Sequence, residues 1–122
     1  MPRYTPMGYS PIQTVVEAST FYRRADKLLS EEEHADLINW LAAHPTAGDE
    51  IVGTGGVRKM RFGALGKGKS GGVRVIYYFY DQEMPIYALL IYAKNERADL
   101  TPDERRVVAA FAAGIKVTRK RR

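Results

Sequence analysis

Hydrophobic positions along this chain follow two periods, one typical of strands and the other typical of helices. Short β-branched and aromatic runs indicate strands, and apolar residues three and four positions apart indicate helices. The predicted elements are strands at 12–17, 57–62, 73–80 and 85–93, and helices at about 20–28, 31–44 and 102–116. The order β-α-α-β-β-β-α predicts an α+β fold with an antiparallel β-sheet core.

Two of the predicted helices have explicit start signals. Ser30 is followed three residues later by Glu33, and Thr101 is followed by Pro102 and Glu104. A hydroxyl at the cap with a glutamate three residues on is a capping box, and proline suits the first helical position. The sequence therefore predicts helices that begin immediately after Ser30 and Thr101.

The layers of the fold follow from these elements. Ser19 or Thr20 is expected to cap the short first helix, and Pro45 to end the second helix near His44. We expect the two N-terminal helices to cover one face of the sheet and the other face to be available for function. The nearly continuous apolar run at 85–93 places its strand in the middle of the sheet.

The length of 122 residues fits a single domain. We expect an irregular N-terminal tail over 1–11, one folded domain over 12–117 and a basic C-terminal tail over 118–122.

Composition narrows the choice of partners. The net charge of +5 and the pI near 9.6 favour an anionic partner such as nucleic acid. The chain has no cysteine, so disulfides and thiolate metal sites are excluded. The two histidines are expected to be surface residues, and no metal or cofactor is expected. No apolar run approaches a membrane span, and a cytoplasmic location is expected.

One cationic stretch dominates the middle of the chain. No acid occurs between Glu50 and Asp81, whereas the stretch contains Arg58, Lys59, Arg61, Lys67, Lys69 and Arg74. Strand alternation places one set of side chains on a common face, with Arg58 on the opposite face. The predicted cationic and aromatic face contains Lys59, Arg61, Arg74, Tyr78, Tyr92 and Lys94.

Such a face has the features of a single-strand RNA platform, since cations follow the phosphates and aromatic rings stack on bases. Lys67 and Lys69 lie on the glycine-rich connection, which is expected to contact RNA backbone. The competing interpretations are a solvated outer sheet face and a flexible hairpin tip. Trp40 is interpreted as a core or helix-packing residue.

Three segments, together with the helix start SEEE before them, resemble the RelE/HigB toxins of bacterial type II toxin–antitoxin systems, and within them the HigB2-like branch. The three segments are GTGGVRKMR, GKGKSGGVRVIYYF and IYAKNERADLTPDE, in the family's order and spacing, and the resemblance covers about residues 12–116. The resemblance implies a small toxin that enters the ribosomal A site and cleaves mRNA there. The implied chemistry is metal-free attack of a ribose 2′-hydroxyl on the adjacent phosphate. A cognate antitoxin is the implied partner, with DNA contacted only indirectly through it.

The resemblance also implies roles for individual residues. Lys59, Arg61 and Arg74 correspond to the family's cations around the scissile phosphate. The positions of an arginine and a tyrosine in the best-studied RelE pattern correspond here to Asn95 and roughly Thr101. The general acid and base are therefore not carried over, and the candidates are Tyr78, Tyr92, Lys94 and Arg97. The expected RNA contacts are Arg58, Lys67, Lys69 and Tyr78.

The departures at Asn95 and Thr101 support a second hypothesis from a different class. In this alternative the chain is a non-catalytic basic module, a degenerate toxin that binds RNA or an antitoxin without cleaving anything.

Overall fold

The computed structural model describes residues 13–63 and 72–120. These residues form five strands and three helices. In chain order the elements are β1 (Val15–Glu17), α1 (Ser19–Leu28), α2 (Glu31–Ala43), β2 (Asp49–Glu50), β3 (Arg58–Phe62), β4 (Val73–Tyr78), β5 (Ile86–Ala93) and α3 (Pro102–Lys120).

The strands form one mixed sheet in the order β1-β5-β4-β3-β2. The predicted antiparallel meander of β3, β4 and β5 is confirmed, and β5 is an internal strand as expected. The sequence prediction lacked β2, which pairs antiparallel to β3 within the connection predicted at 46–56. Because β2 has only two residues, both acidic and exposed, it has no hydrophobic period to reveal it.

The two N-terminal helices cover one face of the sheet, as predicted. Phe21 and Ala25 of α1 and Leu37 and Leu41 of α2 are fully buried there. They pack in one cluster with inward-facing sheet residues, including Met60, Val73, Val75, Tyr77, Ala88 and Ile91.

The opposite face is not open along its whole length, which corrects the sequence prediction. Val108 and Ala112 of α3 are buried in a second cluster with Val57, Ile76, Tyr78, Leu89, Tyr92 and Leu100. The physical reason is that α3 has an apolar stripe, which is stabilised when it is buried against this face of the sheet.

The beginnings of the helices differ in how they are capped. Both reciprocal capping-box bonds form between Ser30 and Glu33 at α2, which confirms that prediction. The prediction of a side-chain cap for α1 is wrong, because Ala18 occupies the N-cap position and makes no side-chain hydrogen bond. The hydroxyl of Thr20 donates instead to the carbonyl of Leu89 at 3.4 Å, which ties α1 to β5.

The capping box of α3 is also present. The backbone N–H of Glu104 donates to Thr101 Oγ1 at 3.1 Å, and the N–H of Thr101 donates to Glu104 Oε1 at 2.9 Å. The same carboxylate accepts a charged hydrogen bond from Arg97. The bond from Arg97 is the main reason that the pKa of Glu104 lies below its ordinary value.

Glu104→Gln is expected to lower the free energy of unfolding near pH 7 by about 0.5–1 kcal/mol, since it removes a partly exposed charged pair. A carboxyl whose pKa is lowered on folding stabilises the fold above its unfolded pKa, and this contribution disappears as pH falls through the folded pKa. The difference between wild type and variant should therefore shrink on acidification below about pH 4. Urea unfolding across that pH range measures it.

The matched control is Asp36→Asn, because Asp36 is exposed on α2 and makes no ion pair within the described part of the chain. A stability difference for Glu104→Gln that is unchanged by acidification would contradict the assigned role of the Arg97 pair.

The C-terminal helix continues through Lys120, so residues 118–120 belong to α3, not to the predicted basic tail. Arg119 Nε donates to Asp81 Oδ2 at 2.9 Å and its guanidinium also pairs with Glu83, which fastens the end of α3 to the β4–β5 turn. None of the helices in the described ranges is both long and apolar enough to cross a membrane.

Candidate nucleic-acid site

Three cations lie together on the face of β3 and β4 that α3 leaves partly open. Arg61 pairs in register with Arg74, and Arg74 pairs with Tyr92 on β5, so these side chains share one face. Lys59 lies two residues before Arg61 and therefore on the same face. This confirms the predicted common face for Lys59, Arg61 and Arg74, which we call the cationic row.

A cavity of about 260 Å³ adjoins the cationic row. Its lining includes all three cations together with Trp40 of α2 and Asp49 of β2. Arg61 is exposed, and its guanidinium makes no hydrogen bond or ion pair with any other described residue. A cavity bordered by an exposed guanidinium suits a phosphate ester, because Arg presents a planar fork of donors to phosphate oxygens.

Trp40 is not a core residue, which corrects one of the two sequence interpretations and leaves helix packing as the other. The side chain is 39% exposed. Its ring stacks on the imidazole of His44, with ring centroids 4.1 Å apart and an interplanar angle of 20°. The helical period alone does not reveal this position, because the cavity forms only when α2 packs beside β3.

An acidic group borders the other side of the cationic row. Lys59 Nζ lies 3.6 Å from Asp99 Oδ1, and Arg105 lies 4.0 Å from the same carboxylate. The pKa of Asp99 is below its ordinary value, first because the backbone N–H of Leu100 donates to it and then because of Lys59 and Arg105. Asp99 is therefore ionised at neutral pH. Sequence reasoning missed it, since its only signal was a place just before the α3 cap.

Arg97 is held in place by Glu104 and the Tyr92 ring. Its guanidinium lies 4.4 Å from the centroid of the Tyr92 ring and is paired with Glu104. The hydrogen bond with Glu104 raises the pKa of Arg97 further above its already high ordinary value. Arg97 therefore keeps its proton at neutral pH and acts as a charge.

The two tyrosines of the predicted platform are buried, which corrects their expected exposure. Tyr78 is 2% exposed and Tyr92 is 1% exposed, because α3 packs over them. Burial is the main cause that raises the pKa of each hydroxyl. Tyr92 Oη donates to the carbonyl of Ala98 at 3.4 Å. Neither ring presents a face to solvent on which an RNA base stacks.

Arg58 lies on the helix-covered face, opposite Lys59, as the alternation predicted. Its Nη1 donates to the carbonyls of Gly48 at 2.6 Å and Thr46 at 3.3 Å, and its Nη2 lies 3.5 Å from Glu50. The structure thus uses Arg58 to hold the segment that leads into β2, away from the cationic row.

Three further predicted cations, Lys94, Lys67 and Lys69, lie outside the strands that carry the cationic row. Lys94 is exposed in the turn after β5, where its backbone N–H donates to the carbonyl of Gly72 at 3.1 Å. The strand β5 ends at Ala93, so the predicted common face of Lys94 and Tyr92 stays a prediction. Lys67 and Lys69 lie outside the described residues.

The fold and this site together define a small α+β protein with a cationic surface suited to a phosphodiester. The described ranges contain no group of three or more His, Asp or Glu side chains placed to hold a metal ion.

Comparison with known proteins extends this description. The family model of the RelE toxin of the RelE/RelB toxin–antitoxin system matches residues 15–121. An arginine-to-alanine double mutant of the E. coli toxin RelE, solved in the free state, is similar in structure with a TM-score of 0.53. The match covers 82% of this chain and 96% of that chain at 13% sequence identity, and it supports the fold.

This chain belongs to the RelE toxin family. Membership confirms the sequence-based prediction at the family level, while the HigB2-like branch stays a prediction. The class of protein is the toxin component of a toxin–antitoxin system, for which the family has an antitoxin partner and an endoribonuclease activity.

Proposed function

We propose that this chain is a ribosome-dependent endoribonuclease that inhibits translation by cleaving mRNA in the A site. The observation that carries the proposal is the in-register pair Arg61 and Arg74, with Lys59 on the same face, in a member of the RelE toxin family. Three cations around one small cavity match the charge of a phosphodiester in its transition state.

The proposed reaction is an intramolecular transfer within the RNA. The ribose 2′-hydroxyl loses its proton, its oxygen forms a bond to the adjacent phosphorus, and the bond from phosphorus to the 5′-oxygen breaks. The 5′-oxygen takes up a proton, so the products are a 2′,3′-cyclic phosphate and a 5′-hydroxyl. We assign Lys59, Arg61 and Arg74 to the negative charge that develops on the phosphate oxygens. Because these cations supply that charge stabilisation, we propose a mechanism without a metal ion.

The proton-transfer roles follow from charge and burial. Arg97 keeps its proton, and Tyr78 and Tyr92 are buried, so we assign none of them as the base. Asp99 is ionised and borders Lys59, and we propose that it accepts the 2′-hydroxyl proton. Since its pKa is lowered, Asp99 is a weak base, and charge stabilisation by the cationic row would supply more of the rate enhancement. Lys94 and Arg97 are proposed to contact the RNA backbone as charges.

The proposed function sets the partners and the compartment. The substrate is mRNA on the ribosome, which places the active protein in the cytoplasm. A cognate antitoxin must neutralise it, and we propose that DNA is contacted only through that antitoxin. An acidic or amphipathic antitoxin segment would complement the net charge of +5.

The test is induction of the protein in growing bacteria, alone and with its antitoxin, followed by mapping of mRNA 5′ ends. We expect growth arrest and new 5′ ends within translated regions, both relieved by the antitoxin. A reporter message with its start codon removed is the matched control, and it should remain intact. Equal cutting of the untranslated reporter would contradict ribosome dependence.

The non-catalytic module remains the second candidate because Thr101 serves the α3 cap in this structure. Thr101 corresponds to a catalytic position of the family pattern, and its hydroxyl accepts the Glu104 N–H there. This alternative predicts RNA or antitoxin binding, harmless expression and no new 5′ ends from soluble, folded protein.

A further inference from the structure

We propose that the cavity between Trp40, Asp49 and the cationic row is a subsite for a single nucleobase with a preference for guanine. The inference rests on the proposed function, since the base would belong to the nucleotide whose phosphate contacts the cationic row. It adds to that function a sequence preference and two residues that set it.

The first observation is the indole of Trp40, which is supported on one side by His44. His44 stacks on the ring, and its Nδ1 donates to the carbonyl of Trp40 at 2.8 Å, so the imidazole is fixed in place. His44 does not line the cavity beside the cationic row, whereas Trp40 does. A half-exposed aromatic ring held in one orientation is a stacking surface that loses little conformational entropy on binding.

The second observation is the carboxylate of Asp49 at the same cavity. Asp49 lies opposite Lys59 in the β2–β3 register and is exposed. No other described residue forms an ion pair with it within 4 Å. A carboxylate offers two parallel acceptors, and guanine offers two parallel donors, N1–H and the exocyclic amine. Uracil offers one N–H flanked by two carbonyl oxygens, which would face the carboxylate unfavourably.

The third observation is the size and position of the cavity. Its volume of about 260 Å³ is just below the range of sites for drug-sized ligands, roughly 300–1,000 Å³, so it suits a smaller group such as one base. Arg61 and Arg74 line the same cavity, so a base seated on Trp40 would have its phosphate beside these cations. Cleavage sites should therefore carry guanine at one fixed position relative to the cut.

Trp40 is also the reporter, since it is the only tryptophan in the chain. The probes are two short RNAs that differ only by guanine or uracil at one position, each with a 2′-deoxy sugar at the cut to prevent cleavage. We expect saturable quenching of Trp40 fluorescence, with the guanine RNA bound about tenfold more tightly, as for a good bidentate base contact. Asp49→Asn should remove most of this difference, and Asp26→Asn on α1 should preserve it.

The second arm maps 5′ ends in cells that express the Asp49→Asn variant. We expect the cuts to lose their guanine preference, and circular dichroism should show an unchanged fold. Trp40→Ala should reduce cleavage more than Trp40→Phe, which keeps an aromatic ring. Equal binding of the two RNAs by the wild-type protein, or an unchanged cut distribution in Asp49→Asn, would overturn the base subsite.

The two arms separate this inference from the proposed function. Guanine-selective quenching by a protein that cuts no message would support the base subsite and contradict the proposed nuclease activity. Cleavage of mRNA without quenching of Trp40 fluorescence and without a guanine preference would support the nuclease activity and contradict the base subsite.

Discussion

Arg74→Ala is expected to lower mRNA cleavage by about 10²–10³-fold, the usual effect of removing one preorganised group that stabilises transition-state charge. Arg74 lies on β4 between its register partners, Arg61 on β3 and Tyr92 on β5, so it occupies the middle strand of the site. Cleavage of a defined message in a translation extract, followed by primer extension over time, measures the loss.

Arg23→Ala is the matched control, because Arg23 is an exposed arginine on α1, outside the cationic row and outside the lining of its cavity. It removes the same charge and should cleave at the wild-type rate. Thermal unfolding of both variants should show that neither loses its fold. Cleavage by Arg74→Ala within a few-fold of wild type would refute the assignment of the cationic row to the scissile phosphate.

The parts of the fold that the sequence predicted well depend on local signals. The starts of α2 and α3 are encoded by residues three positions apart, and the meander follows from runs of β-branched and aromatic residues with short links. Both kinds of signal are complete within a few residues of sequence. The cap of α1 was mispredicted because Thr20 bonds to a distant carbonyl on β5.

The candidate site likewise contains features that local sequence patterns predict and features that depend on tertiary packing. Alternation within β3 and β4 was enough to place Lys59, Arg61 and Arg74 on one face. The burial of Tyr78 and Tyr92 depends on where α3 docks, which no local pattern specifies.

Asp49, Asp99 and Trp40 approach the cationic row from three separate segments. No sequence pattern within its own segment marks any of them as a site residue. Only the packing of those segments against β3 brings them to the site.

Gly48→Ala is expected to reduce both stability and cleavage, because Gly48 packs closely against the backbone of Lys59. A Cβ there would lie 2.9 Å from the carbonyl oxygen of Lys59 and 3.0 Å from Tyr77 Cε1. The neighbour is backbone, so β3 must move at Lys59 itself. Such overpacking typically costs about 1–3 kcal/mol. It would also weaken the buried bond in which the Gly48 N–H donates to Tyr77 Oη at 2.8 Å.

The functional consequence comes from the same displacement. Asp49 follows Gly48 directly and pairs with Lys59, so a shift of about 1 Å there moves two site residues and can lower a rate by about 10²-fold. Gly114→Ala is the control, since a Cβ there meets no atom within 4 Å. Within α3 it should stabilise the fold by about 0.5–1 kcal/mol and leave cleavage unchanged. Urea unfolding and cleavage assays on both variants decide the matter: a Gly48→Ala protein as stable and active as wild type would mean that the β2 segment does not position Lys59.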